Sequence, residues 1–436
     1  FQDLPEQYGL VPIILDQLRM FVEHDVTPAF YVMEGFEKHQ DVAKLPSGVD
    51  LRPVVPFMHL FHYFEGTEKQ TFNVSAKGQY VEGQPFSPKT NFDKQVKLIE
   101  KQLDELKEFD VVITHDIMFQ VAFVVFNQAI RNIAEKYPHI KWLHWCHSGP
   151  CSRPEKLKYP HTLRHSGMKN AFWISPNKMM CPKFAEMFNI PLRQVKYVYH
   201  VVDVCKFFEM HPFSIELIQK YDLLDCDVLC VWATRFDSSE AKGFRQCVWL
   251  MSQLNKYCNA KMVFLNSWSG SKEAKKTIIS LREEAKEWGL PEDNLVFSSA
   301  ESTSYEMGVP RKVVRDLLSV ANLFILPSKS ETFSLATAEA GLCKSLLVLN
   351  NKLELMHELT DDNAYFIDFD TEWGGKIDTV TYNPNPQIYF SERAQEIWNI
   401  IKENKVLMEQ RKVLKDFSSD SIWENQMLPL IEGGDK

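Results

Sequence analysis

Short apolar runs alternate along the chain with stretches whose apolar residues recur three or four apart, the pattern of strands exchanging with amphipathic helices. In the first half this predicts a helix over 12–22 and strands over 27–33 and 49–55. Residues 59–90, rich in Gly, Pro and aromatics, have no helical period and read as a long loop. A helix is expected over 92–107 with Val96, Ile99 and Leu103 on its buried side, then a strand over 111–113 that ends in Thr114-His115-Asp116. A helix over 118–136 follows, then a strand over 140–145 leading into His147-Ser148-Gly149, and strands over 171–175 and 196–199.

The pattern weakens over 204–226 and then resumes. Strands are expected over 228–232, 261–265, 294–298, 323–326, 345–349 and 364–367, with helices over 244–257, 272–288, 310–320 and 334–342. Residues 370–389 are rich in Gly, Pro and Asn, and a helical stretch over 390–416 carries Ala394, Ile397, Ile400 and Ile401 on one stripe. Strands separated by helices predict mostly parallel sheets, whose ligands bind beyond the carboxyl ends of the strands. The expected fold class is α/β with two Rossmann-like domains. Residues 1–205 form the first, 206–385 the second and 386–436 a helical tail. An α/β domain ordinarily opens on a strand before its first helix, so a further amino-terminal strand and the front of a glycine loop are expected ahead of the helix at 12–22.

Length agrees, since 436 residues suit two cores better than one. A quarter of the residues are charged, and the net charge of -9 argues against a general nucleic-acid binder without excluding a local basic site. Nine scattered cysteines without a CxxC pair suit reduced thiols and a cytoplasmic setting. No apolar run is long enough for a transmembrane segment.

Candidate chemistry concentrates over 323–340. Glu331 lies in a polar loop beyond an apolar strand, and Glu339 lies eight residues on, about one turn into a helix that opens near Ser334. Free amides at a helix start suit phosphate oxygens, and carboxylates beside them suit sugar hydroxyls. Plainer readings make Glu331 a helix-start acid and Glu339 a surface residue. Arg235 and Lys242 follow the first strand of the second domain. Two cations there suit a diphosphate, although Asp237, Ser238 and Glu240 also allow an ion-paired loop.

The segments ATRFDSSEAKGF, EWGLPEDNLVFSS and VPRKVVRDLLSVANLFILPSKSETFSLATAEAG, in this order and spacing, resemble the carboxyl-terminal domain of retaining GT-B glycosyltransferases of the glycosyltransferase family 4 type. Glu331-x7-Glu339 matches that family's acidic motif. THDIMFQ and WLHWCHSG resemble the two histidine-bearing strand ends of the amino-terminal domain. The resemblance implies two domains facing a central cleft, with a final helix crossing back to the first domain.

It also implies a retaining hexosyl- or pentosyltransferase that takes a UDP- or GDP-linked sugar as donor and needs no metal or other cofactor. Arg235 and Lys242 would bind the diphosphate, Glu339 the ribose, and Glu331 with the amides of Phe333, Ser334 and Leu335 the sugar and its phosphate. His115 would contact the donor sugar, His147 and Ser148 the sugar or acceptor, and Ser298 with Ser299 would begin the base pocket. Gly9 is what remains of the glycine-rich loop. His200-Val201 stands in place of the usual Asn-Gly, the turn at 266–270 has lost glycines, and Ser334 stands where glycine is common.

Two further clusters bear on partners. His144, Cys146, His147 and Cys151 do not have the spacing of a structural zinc site, and alternation parts His147 from the first two. Residues 153–196 carry nine Lys or Arg against two Glu, a net of +7, interleaved with Tyr159, Phe172, Trp173, Phe184 and Phe188. This stretch reads either as a solvated surface or as contact for an anionic acceptor: a phosphorylated sugar, a lipid head group at a membrane surface, or hydroxymethylated DNA. His161 and His165 are expected at the surface. The alternatives to a transferase are a catalytically degenerate sugar-nucleotide-binding protein and, less favoured by the spacing of its acids, a sugar-nucleotide epimerase.

Overall fold

A computed structural model describes residues 10–33, 45–55, 89–120, 123–150, 161–236, 242–373 and 376–433. Of the loop expected over 59–90, residues 59–88 lie outside the described residues, as do Gly9, Cys151 and the acids at 237 and 240, while 89 and 90 open a helix. The chain divides into two compact units, Phe1–Val201 with Ser419–Lys436, and Val202–Ser418. Each is a Rossmann-like parallel-sheet layer between helices, the two-domain plan of a GT-B protein, and the last helical residues return to the first unit.

The first unit opens with helix α1 (Leu10–Glu23) and the parallel strands β1 (Ala29–Met33) and β2 (Asp50–Val55). A separate parallel sheet holds β3 (Val111–His115), β4 (Lys141–Trp145), β5 (Ala171–Ser175) and β6 (Val195–Tyr197) side by side in chain order. Helices α2 (Lys89–Gln102), α3 (Val124–Lys136) and α4 (Cys181–Phe188) cover one face around the buried Trp142, Trp173, Phe184 and Phe188. The other face packs Met20 and Phe21 of α1 against Trp423 and Met427. There the Lys141 ammonium donates to the carbonyls of Leu430 and Ile431, each at 3.0 Å.

Three expectations are corrected here. The helix after β3 begins at Val124 rather than 118. Met118 and Phe119 match its apolar period but are buried from a turn that follows Asp116, whose φ is 58°. His165 is 1% exposed, because the turn over 161–165 is tucked against α3. Arg131 of that helix donates to the carbonyls of Leu163, Ser166 and Gly167. Of the aromatics between the basic residues, Trp173, Phe184 and Phe188 are core, so they offer no surface to a nucleic acid or membrane.

In the second unit six parallel strands run in the order β12-β11-β10-β7-β8-β9. They are β7 (Val228–Arg235), β8 (Ala260–Ser267), β9 (Leu295–Phe297), β10 (Leu323–Leu326), β11 (Leu346–Asn350) and β12 (Tyr365–Ile367). The chain builds outward from β7 to β9, then returns to lay β10 against the free side of β7, with Leu323 opposite Cys230. Strands buried on both faces need continuous apolar runs, and Leu-Phe-Ile-Leu in β10 is one. Helices α5 (Pro212–Lys220), α6 (Phe244–Leu254), α7 (Lys272–Glu287), α8 (Arg311–Val320), α9 (Leu335–Leu342), α10 (Glu354–Thr360), α11 (Pro386–Glu403) and α12 (Lys405–Asp416) complete the unit. Ala394, Ile397 and Ile401 of α11 are fully buried, as their spacing requires. The weak pattern at 204–226 conceals α5, and the Pro- and Asn-rich stretch after 370 contains the antiparallel strands β13 (Thr371–Trp373) and β14 (Lys376–Asp378).

Candidate functional site

The direction of chain growth reverses between β7 and β10, and such a switch point leaves a crevice beyond the carboxyl ends of the two strands. The loops leaving them are held together at Gly243, which precedes α6 with φ +71°. A Cβ there would lie 2.6 Å from the Pro327 carbonyl oxygen. Only glycine permits both that conformation and that approach. One residue earlier, the Lys242 ammonium donates to Glu331 Oε1 at 2.7 Å, with the two side chains 19% and 15% exposed.

The Glu331 loop is fixed from beneath. Buried Asn350, at the end of β11, donates to the carbonyls of Ser328 (3.1 Å) and Asp370 (3.0 Å). Its oxygen accepts from the amides of Lys352 and Phe369. The amide of Glu372 donates to the Lys329 carbonyl at 3.0 Å. Ser334 then turns the chain into α9 from the left-handed region, φ 65°, and its hydroxyl lies 2.8 Å from that of Thr337. The first amides of a helix have no partner within it. Those of Phe333, Ser334, Leu335 and Ala336 make no hydrogen bond among the described residues. Phe333, 51% exposed, and the exposed Leu335 flank them. The result is a carboxylate, an ammonium and a row of free amides on one crevice.

Arg235 ends β7 with its side chain exposed, opposite Ser267 in the ladder. Glu339 is half-buried on α9 and pairs with Arg311, the first residue of α8. Ser298 is fully buried, with its hydroxyl directed at the Asn266 side-chain oxygen (3.3 Å), and Asn266 also donates to the Ser299 hydroxyl at 2.6 Å. These serines therefore tie β9 to β8, and their hydroxyls are already engaged. Lys242, Glu331 and the amides of Phe333–Leu335 thus come together, while Glu339 lies farther along α9 with its own partner.

Sequence reasoning missed Arg311, Asn350 and Trp268. Arg311 follows a proline at a helix start, and Asn350 ends an apolar strand, neither of which is distinctive. Trp268 is 52% exposed with φ 57° at the carboxyl end of β8. The lost glycines of the turn at 266–270 are the sequence signal that could have found it, since a bulky residue there takes the left-handed region.

In the first unit His115 and His147 meet at the strand ends. Nδ1 of His115 lies 2.8 Å from Nε2 of His147, so one imidazole N–H donates to the other ring. His147 also stacks on His200, with centroids 5.3 Å apart. Asp116 sets the His147 loop: one carboxylate oxygen accepts from the His147 amide (2.7 Å), the other from the Ser148 hydroxyl (3.0 Å). Burial, then the neighbouring histidines, holds His115 well below the ordinary histidine range; burial, then His200, brings His147 down to about 4. All three rings are therefore neutral near pH 7. His144 points elsewhere, toward the Thr114 hydroxyl at 2.8 Å, and burial followed by the charge of Arg131 lowers it to about 3. Among the described residues no group of three His, Cys, Asp or Glu side chains could hold a metal ion, and no helix is long and apolar enough to cross a membrane.

No family model matches the chain, and no curated protein matches it. Solved structures do. The Anabaena protein HepE in complex with UDP is 15% identical over 78% of this chain and 82% of its own, with a TM-score of 0.32. A glycosyltransferase from Rickettsia africae is 14% identical over 99% and 97%, with a TM-score of 0.35. An α,α-trehalose-phosphate synthase from Burkholderia xenovorans in complex with glucose-6-phosphate is 12% identical over 99% and 98%, with a TM-score of 0.36. At these values the likenesses assign no activity, and function is argued from the residues.

Proposed function

We propose that the chain is a glycosyltransferase that moves a sugar from a nucleoside-diphosphate sugar to an acceptor hydroxyl with retention of anomeric configuration. The observation that carries this reading is the meeting of Lys242, Glu331 and the free amides before α9 at the switch point of the second unit. A diphosphate needs cations and N–H donors, and a sugar needs a fixed acceptor for its hydroxyls. Lys242 and the amides supply the first, Glu331 the second, and Arg235 at the end of β7 is the second cation.

In this reading the bond between the anomeric carbon and the diphosphate oxygen breaks with its electron pair leaving on the diphosphate. Lys242, Arg235 and the amides stabilise that growing charge, and they are in place beforehand, so little reorganisation is required. The acceptor hydroxyl attacks from the face the diphosphate leaves and passes its proton to the departing diphosphate oxygen, which gives retention. Glu331 binds the sugar, held in position by Lys242 until the donor arrives. Glu339 takes the ribose hydroxyls once it exchanges its contact with Arg311. The first unit is the acceptor side, with His115 as the sugar contact and His147 near the acceptor. Neutral imidazoles there can accept or donate hydrogen bonds without opposing a charge.

A second reading, a sugar-nucleotide-binding protein without turnover, is favoured by Glu339 already being paired and by Ser334 holding a left-handed turn where glycine is common. Incubation with UDP- and GDP-sugars and pooled acceptors, with products followed by mass, separates the two. Transfer that disappears in Glu331→Gln and Lys242→Ala supports the transferase. Nucleotide binding without product from any donor and acceptor supports the second.

A further inference from the structure

The turn that leaves β8 is tied to the loop that leaves β9. The Ser269 amide donates to the Glu306 carbonyl at 2.8 Å, and the Ser269 hydroxyl donates to the same oxygen at 3.0 Å. Two residues away on each segment, Gly308 lies against Ser267, whose Cβ would stand 3.1 Å from a Cβ added to the glycine. With 269 beside 306 and 267 beside 308, the segments run antiparallel and bring Trp268 across from Met307. Both are exposed, Met307 by 66%, and Trp268 stands in a turn otherwise made of Asn, Ser and Gly. Each segment is anchored. Glu306 pairs with Lys275 of α7 at 2.9 Å, and the Ser271 hydroxyl accepts from the Ala274 amide at the start of the same helix.

Trp268 holds a φ of 57°, a region that bulky side chains avoid and glycine enters freely. Such strain persists only where the surroundings over-determine it, and it collects at binding sites. With half its surface in solvent, this indole is not there to fill the core. Its place in the sheet is informative. Arg235 lies opposite Ser267 in the β7–β8 ladder, so Trp268 stands one residue beyond the second cation. From β10, where Glu331 and the free amides lie, the strand order passes through β7 to β8, two spacings or about 10 Å. Met307 is placed from the other direction, because the loop that carries it runs on through Pro310 into Arg311, the partner of Glu339. A nucleoside diphosphate with its phosphates at the amides and its ribose at Glu339 would carry its base toward these two residues. Ser298 and Ser299, by contrast, have their hydroxyls engaged with Asn266.

We propose that Trp268 and Met307 form a stacking surface for the base of the donor nucleotide, an inference that rests on the function proposed above. The indole offers the base a π-face, and the thioether adapts its shape beside it. Stacking reads area rather than the hydrogen-bonding edge, so the surface takes a pyrimidine or a purine. The turn at 266–270 has lost the glycines usual in the family it resembles, so this platform belongs to the present chain.

Calorimetric titration with UDP and with GDP, alongside tryptophan fluorescence, tests this in the parent protein and in Trp268→Gly, Trp268→Phe, Met307→Ala and Lys242→Ala. Trp268→Gly removes the platform and relieves the left-handed backbone at once. Its urea midpoint is therefore no lower than the parent's, while its nucleotide affinity falls about 10-fold or more, the size of one lost base–aromatic stack. Met307→Ala weakens binding in the same direction. Trp268→Phe keeps an aromatic face and most of the affinity, but loses the quenching of tryptophan emission that the nucleotide produces in the parent protein. Two results would overturn this inference and leave the proposed function standing. One is affinity lowered in Lys242→Ala but unchanged in Trp268→Gly. The other is quenching that survives in Trp268→Phe. Failure of both nucleotides to bind the parent protein would overturn the function and this inference together.

Discussion

Lys242 and Glu331 are 89 residues apart in the chain and 2.7 Å apart in the fold, joined across the two loops that leave neighbouring strands of the second unit. The pair is held on both sides, by the backbone of Gly243 against Pro327 and by the side-chain amide of Asn350 beneath Ser328. Its partners are thus placed before any ligand arrives. Replacing Lys242 with Ala is expected to lower transfer by roughly 10²–10³-fold, the usual effect of removing one stabiliser of developing charge, and Glu331→Gln is expected to lower it by removing the charged acceptor for the sugar's hydroxyls. Steady-state rates with a saturating donor check this, and far-UV circular dichroism shows that the fold persists.

Gly243→Ala tests the packing of the two loops. The added methyl meets the Pro327 carbonyl at 2.6 Å in a backbone conformation that alanine avoids. A loss of about 2–3 kcal/mol in urea unfolding is expected, from strain together with the clash. An unchanged midpoint would mean that the loops are not pressed together.

Much of this was legible in the sequence, and what was not has physical causes. The strand of Phe324–Leu326 and the acids beyond it could be read because a doubly buried strand must be a continuous apolar run and its polar loop then stands out. The partnership of Glu339 with Arg311 could not, since nothing in an i-to-i+28 separation marks a contact. His165 reads as a surface residue because a neighbouring Pro-rich stretch resembles a loop, yet it is buried, and Arg164 beside it reaches the Phe119 carbonyl from a buried position. Helix α5 and the β13–β14 pair fell in stretches where turn-forming residues mask the period.

Arg311 and Glu339 separate a binding role from a structural one. Arg311 is mostly exposed, so the ion pair contributes little to stability and Arg311→Ala is expected to shift unfolding by less than about 0.5 kcal/mol. If Glu339 binds the ribose, Glu339→Ala weakens UDP binding about 10-fold or more while Arg311→Ala does not. Calorimetric titration of both variants checks the split.

Acid sensitivity follows from the buried histidines. The fold holds His144 at about 3 and His147 at about 4, against about 6.5 in the unfolded chain. Between those limits the unfolded state binds more protons than the folded one, so stability falls as pH falls from about 6.5 toward about 4. The slope is up to about 1.4 kcal/mol per pH unit for each histidine. Urea midpoints between pH 7 and pH 4.5 should decline accordingly, and His144→Gln should flatten part of the decline. A flat profile in the parent protein would contradict the burial of these rings.

The central claim is that the crevice at the β7–β10 switch point binds a nucleoside diphosphate. Isothermal titration of the protein with UDP and with GDP tests it directly, with Lys242→Ala and Glu339→Ala alongside. Saturable binding of at least one of the two nucleotides, weakened about 10-fold or more in each variant, is the predicted result. Failure of both nucleotides to bind, or binding unchanged in both variants, would contradict the account.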